Sequence, residues 1–202
     1  ALVAGDTNTA RQYLNNAVTN RDAVPTAPDT FMRAVMALAR LEAAAGNKQK
    51  ALDAISVGDE LINNYAPLKA LRQSIEKGEK PEQQVKTAAE GAASVLFSIG
   101  GALNRQGAED MVALYLEISH ALDPNSADTL IMLGGLAEKL EKPDRAIALY
   151  KMVPADSPMR RISELQLGVT LSDTGKVDVA KQHLKALIES DPADIRSYIA
   201  YG

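Results

Sequence analysis

Four glycines, Gly100, Gly134, Gly168 and Gly202, stand at a constant spacing of 34 residues, and three prolines, Pro124, Pro158 and Pro192, keep the same interval. Two locked series at one period mark a repeated structural unit, which constrains the fold before any single element does. Such a unit cannot bury its apolar face alone, so it must stack on its neighbours.

Aligned by this period, the units become physical. ADTLIMLGGLAEKLEKPDRAIALYKMVPADSP from Ala127 lies above RISELQLGVTLSDTGKVDVAKQHLKALIESDP from Arg161. Each opens with a predicted helix whose apolar residues recur at three- and four-residue steps: Leu130, Leu133 and Ala137, then Leu167 and Leu171. Gly134 and Gly168 have no side chain, so another helix can approach closely there. A turn follows, at Leu140–Pro143 or Thr174–Lys176, where Pro143 suits a first helical turn and Gly175 a helix end. The second helix carries a small residue, Ala146 or Ala180, then Tyr150 or Leu184 four residues later, and proline stops it.

This pattern resembles the tetratricopeptide repeat, a helix–turn–helix unit with small residues at its eighth and twentieth positions and proline at its thirty-second. The resemblance covers 93–126, 127–160 and 161–194 as three regular units, with 195–202 as the first half-helix of a fourth. Unit 93–126 departs at Val112, where the family usually has alanine. Residues 1–92 are expected to form irregular hairpins of the same kind. Gly5, Ala10 and Ala17 fit a second helix, Val24–Thr30 a non-helical loop, Phe31–Ala45 a first helix turning at Gly46, and Pro67–Lys77 another helix. Pro81–Arg105 reads as one long helix feeding the regular units. The implied fold class is all-α, a right-handed α-solenoid. The segment from Lys86 to Gly107 followed by the regular units is also similar to long alphaproteobacterial repeat proteins. That likeness points to a bacterial, exported or periplasmic setting rather than a cytoplasmic one.

Composition agrees with an all-α chain. Hydrophobic residues make up 46% and charged residues 24%, alanine is abundant, and no period-two alternation marks a strand. A net charge of −4 and pI near 5.3 do not point to nucleic acid. Without cysteine there is no disulfide, thiolate metal site or cysteine nucleophile. The longest apolar stretch, Ala92–Leu103, is short and rich in Gly and Ser, below the roughly 18 residues a membrane-spanning helix needs. The chain begins at Ala1 with neither initiator Met nor targeting segment, which reads as a processed chain or an excised fragment.

No constellation of reactive groups is legible. His120 and His183 lie on second helices at different repeat positions and read as exposed or interhelical side chains, not ligands. Gly100, Gly101 and Gly107 are followed by no Lys-Ser/Thr pair, so they read as packing and turn positions and not as a phosphate loop. Asp123–Asp128 lacks the remaining ligands of a calcium loop and reads as a capped turn. Glu138, Glu141 and Asp144 read as a solvated face. No catalytic residue, metal or cofactor is assigned, and an enzyme is not expected.

What the resemblance implies instead is a concave surface lined by first helices. Its ligand-facing positions fall on Phe97, Asn104 and Arg105, on Ile131, Met132 and Glu138, and on Leu165, Gln166 and Val169. The carboxylate clamp of chaperone-binding members is missing, because its sites hold Phe97, Gly101, Met132, Ile162 and Gln166. The middle of the groove is therefore apolar, which suits an amphipathic helix or hydrophobic peptide. The alternative is that Phe97, Ile131 and Leu165 pack on neighbouring first helices or on a part of the protein outside this sequence. Three functions follow: a non-enzymatic scaffold or adaptor binding a protein or peptide, a self-assembly module joining through open repeat ends, or a non-catalytic arm of a larger secretion or envelope protein.

Overall fold

In the computed structural model, residues 1–62, 65–105 and 107–202 are described, and among them there are helices and turns but no strand. Two compact units divide the chain, Ala1–Gly107 and Ala108–Gly202. The division falls in the turn between the two helices expected of unit 93–126.

The first unit holds α1 (Thr7–Thr19), a 3-10 turn at Arg21–Ala23, α2 (Pro28–Ala44), α3 (Lys48–Asp59), α4 (Ala66–Glu76) and α5 (Ala88–Asn104). It is organised around α2, which packs against each of the other four helices. Phe31, Met32, Val35, Met36, Leu38 and Ala39 of α2 are buried with Ile55, Leu68, Leu71 and Ile75 in one apolar cluster. Such a helix must be apolar on most of its circumference, and α2 is. A polar tie adds to this. Glu42 of α2, 3% exposed, accepts from Arg11 Nε of α1 at 2.6 Å and from Asn47 Nδ2 at 2.7 Å. Burial pushes the Glu42 carboxyl up, but these two donors outweigh it and hold the group below its ordinary value.

Three expectations for this half need correction. Pro28 does not lie in a loop: it occupies the first turn of α2, where the missing N–H costs nothing. Pro81–Arg105 is not one helix, because α5 starts only at Ala88. There Thr87 Oγ1 accepts from Glu90 N at 3.1 Å while the Glu90 carboxylate accepts from Thr87 N, a reciprocal cap that fixes the start. Gly5 lies outside α1, in a turn at φ +76°, and Ala17 is exposed, so Ala10 and Val18 take the buried face of the helix.

The second unit holds α6 (Glu109–Leu122), α7 (Ala127–Lys139), α8 (Pro143–Met152), α9 (Arg160–Asp173), α10 (Val177–Ser190) and α11 (Ile195–Tyr201). Each helix packs on the next, and α7, α9 and α11 also pack on one another in succession, which is the packing of an α-solenoid. The repeat glycines explain the closeness within a hairpin. A Cβ on Gly134 would stand 2.3 Å from the Tyr150 ring, and one on Gly168 would stand 2.5 Å from Leu184 Cδ2. Ala146 and Ala180 of the paired second helices are buried.

The turn between paired helices requires one left-handed residue. Gly175 takes φ +78°, and Lys176 N and Gly175 N close the end of α9 on Leu171 O and Ser172 O, each at 2.9 Å. In the preceding repeat the same position is Glu141, which adopts φ +56° and the same bonding, Lys142 N to Ala137 O at 2.8 Å. A side chain there costs about 1 kcal/mol that glycine avoids.

Candidate functional site

The nine expected ligand-facing residues divide between the units. Phe97, Asn104 and Arg105 belong to α5 and its end. Phe97 is buried under the Arg33 guanidinium, which lies 4.4 Å from its ring centroid and donates to Ser94 O at 3.2 Å. Arg105 donates to Thr26 O at 2.7 Å and pairs with Asp29 at 3.3 Å. Asn104 is exposed. Phe97 and Arg105 are thus engaged within their own unit.

The other six lie on α7 and α9, which pack together. Ile131, Met132, Leu165 and Val169 are half-buried, and Gln166 is exposed. Burying Leu130, Leu133 and Leu167 one helical face away positions them, because 3.6-residue periodicity leaves the next face toward solvent. Ile131 and Leu165 occupy one repeat position on successive first helices, and Ile199 holds the same position on α11 with 75% of its surface exposed. Ile199 was absent from the sequence-based set, although the interval of 34 that pairs Ile131 with Leu165 leads directly to it.

Glu138 is not part of a solvated face. Its carboxylate sits between helices, accepting from Tyr150 Oη of α8 at 3.0 Å and from the Thr170 hydroxyl of α9. Burial, reinforced by the Glu138 charge and hydrogen bond, pushes the Tyr150 hydroxyl pKa well above its ordinary value. Glu138 therefore locks three helices in register. Glu141 and Asp144 are exposed as expected, Asp144 facing Lys176 at 3.3 Å.

Other titratable groups are structural too. His183 Nε2 lies 2.9 Å from Glu164 O and 2.7 Å from its carboxylate, and Arg160 also pairs with Glu164. Arg161 of α9 donates to Asp194, Leu187 O, Ser190 and Ser197, fastening α9 to the α10–α11 turn. Burial opposes ionisation of Asp194, yet hydrogen bonds from Arg196 and Arg161 hold its carboxyl down at about 2. His120 Nδ1 is buried with no hydrogen-bond partner among the described residues. The described residues contain no group of three or more His, Cys, Asp or Glu placed to hold a metal ion.

Paired helices closed on glycine, a left-handed turn and stacking of first helices also characterise a known family, and residues 165–194 match its description, the tetratricopeptide repeat. The chain carries a tetratricopeptide repeat. Two solved structures, titled "Crystal structure of MamA" and "Crystal structure of MamA protein", resemble the chain at 16% and 15% identity, each with a TM-score of 0.47. The alignments cover 94% and 95% of this chain and 91% of each of theirs. No curated protein matches the sequence. Tetratricopeptide repeats serve as protein–protein interaction scaffolds and are generally non-catalytic. No helix among the described residues is long and apolar enough to cross a membrane.

Proposed function

We propose that this chain is a non-enzymatic scaffold that binds an amphipathic helix or apolar peptide of a partner protein along the first helices of its second unit. The reading rests on the same-position row Ile131, Leu165 and Ile199, apolar on α7, α9 and α11, half-buried at the first two and exposed at the third. Packed helices lie about 8–10 Å apart, close to the rise of seven residues in a helix. A bound helix laid across the row would therefore present apolar residues at heptad spacing. Met132 beside it supplies a side chain that adapts to different partners. Glu138, Glu164 and His183 are occupied in bonds between helices, which supports a surface that works by contact rather than by chemistry.

The test is selection of peptides from a displayed library on the intact chain, followed by titration of the winners against Ile131→Glu/Leu165→Glu and the milder Met132→Ser. Circular dichroism checks that each variant is folded. At least tenfold weaker binding to the folded double variant is the expected result, and unchanged binding would overturn the groove. A second reading, self-association, is favoured by Ile195, Tyr198 and Ile199, which leave α11 with an exposed apolar surface. It predicts a mass in sedimentation equilibrium that rises with concentration and returns to that of the monomer in Ile199→Glu.

A further inference from the structure

The outward face of α6 differs from that of the second helices that follow it. Met111, Leu114, Ile118 and Leu122 are 44%, 52%, 42% and 38% exposed and form one continuous stripe at steps of three, four and four residues. At the equivalent positions the next repeat has Arg145, Ala148, Met152 and Asp156, and the one after has Val179, Gln182, Ala186 and Ser190. The repeat geometry is the same, so exposure at these positions is built into the fold. Only in α6 is the whole row large and apolar.

The edge of the stripe is acidic. Asp110 and Glu117 lie one turn either side of Leu114, and no Lys or Arg occurs anywhere from 106 to 138. Glu109 pairs with Lys139 at 2.5 Å and Glu117 with Arg145, both largely exposed bridges and weak bonds that a ligand cation can replace. A second copy of α6 carries no Lys or Arg on that helix, so its Asp110 and Glu117 meet this acidic edge with repulsion. An anionic bilayer meets the same repulsion. A basic helix is drawn to Asp110 and meets like charge only at Arg145 and Lys139, the cations it would displace from Glu117 and Glu109. Leu114, Ile118 and Leu122 form an i+4 ridge, the shape that enters the groove of another helix.

We infer that the outward face of α6 docks a basic amphipathic helix of a partner protein. This surface is separate from the row on the first helices, so either can fail without the other. The probe is a fluorescent 14-residue peptide of Lys and Leu in helical amphipathic order, with a Glu/Leu peptide of the same pattern as control. Anisotropy is read against the intact chain and against Leu114→Gln/Ile118→Gln, Asp110→Asn/Glu117→Gln and Leu165→Glu, each checked for folding. Expected are at least tenfold weaker binding for the apolar double variant, about threefold weaker and less salt-sensitive binding for the charge variant, and no change for Leu165→Glu. Equal binding of the Glu/Leu peptide, or full binding by folded Leu114→Gln/Ile118→Gln, overturns the proposal. So does a dimer in sedimentation, or flotation with phosphatidylglycerol vesicles, that is lost in that variant.

Discussion

Helix α2 is buried at ten of its 17 residues, whereas α10 is buried at two of its 14. The first figure belongs to a unit built around one central helix, the second to a unit built by adding hairpins in series. In the first, apolar residues of α2, α3 and α4 converge on one cluster, so removing any of them is felt throughout. In the second, each interface is small and repeated, and every helix keeps a large solvent face. A central helix spends its surface on stability. A serial stack leaves surface over, and both the row on the first helices and the stripe on α6 are drawn from it.

The contrast can be broken most forcefully from inside the first unit. Ile55 is fully buried, and Ile55→Ala should cost about 3–4 kcal/mol in chemical denaturation, with amide protection lost together in α2, α3 and α4. In the second unit, Gly134→Ala drives a methyl group into the Tyr150 ring and should cost about 2–3 kcal/mol. Its loss of protection should concentrate in α7 and the helices that pack on it, α6, α8 and α9, and spare α10 and α11, as nearest-neighbour coupling requires. Equal loss across all helices of the unit would contradict a serial stack.

Smaller effects sharpen the same distinction. The Asp194 carboxyl titrates near 2 when folded against an ordinary value of 3.8, so its contribution is present above about pH 4 and lost as pH falls toward 2. Thermal melts of Asp194→Asn should lack that part of the acid destabilisation, and exchange in α11 should rise before exchange in α7. The smallest change is a gain. Glu141→Gly relieves a left-handed side chain and should stabilise by up to about 1 kcal/mol in urea melts, while Gly175→Ala should lose about as much.

Much of the second unit was legible because its contacts repeat at a fixed interval. Gly134 with Tyr150, Gly168 with Leu184, and the turn at Gly175 all follow from register. Glu138 was not legible, because periodicity along one helix does not reveal which side chains of the next two converge on it. The start of α5 carried a readable sign, Thr87 followed three residues later by Glu90, but the approach from Pro81 outweighed it. Pro28 falls in the expected loop Val24–Thr30 although it begins a helix. At α5 the reciprocal cap, worth about 1 kcal/mol, sets the boundary where apolar spacing is indifferent, and at α2 the fixed φ of Pro28 in the first turn does so without a side-chain cap. Ile199 lay at a readable interval beyond the last complete repeat. Burial of Phe97 beneath Arg33 had no signal in the sequence, since the two are far apart along the chain.

The most direct test of the scaffold reading is photo-crosslinking of a peptide selected on the intact chain. A photoreactive residue would replace Gln166 on the first-helix row or, in a separate protein, Gln182 on the second-helix face, both exposed positions. The row predicts a peptide adduct from position 166 and none from position 182. Adducts from 182 alone, or equally from both, would contradict it.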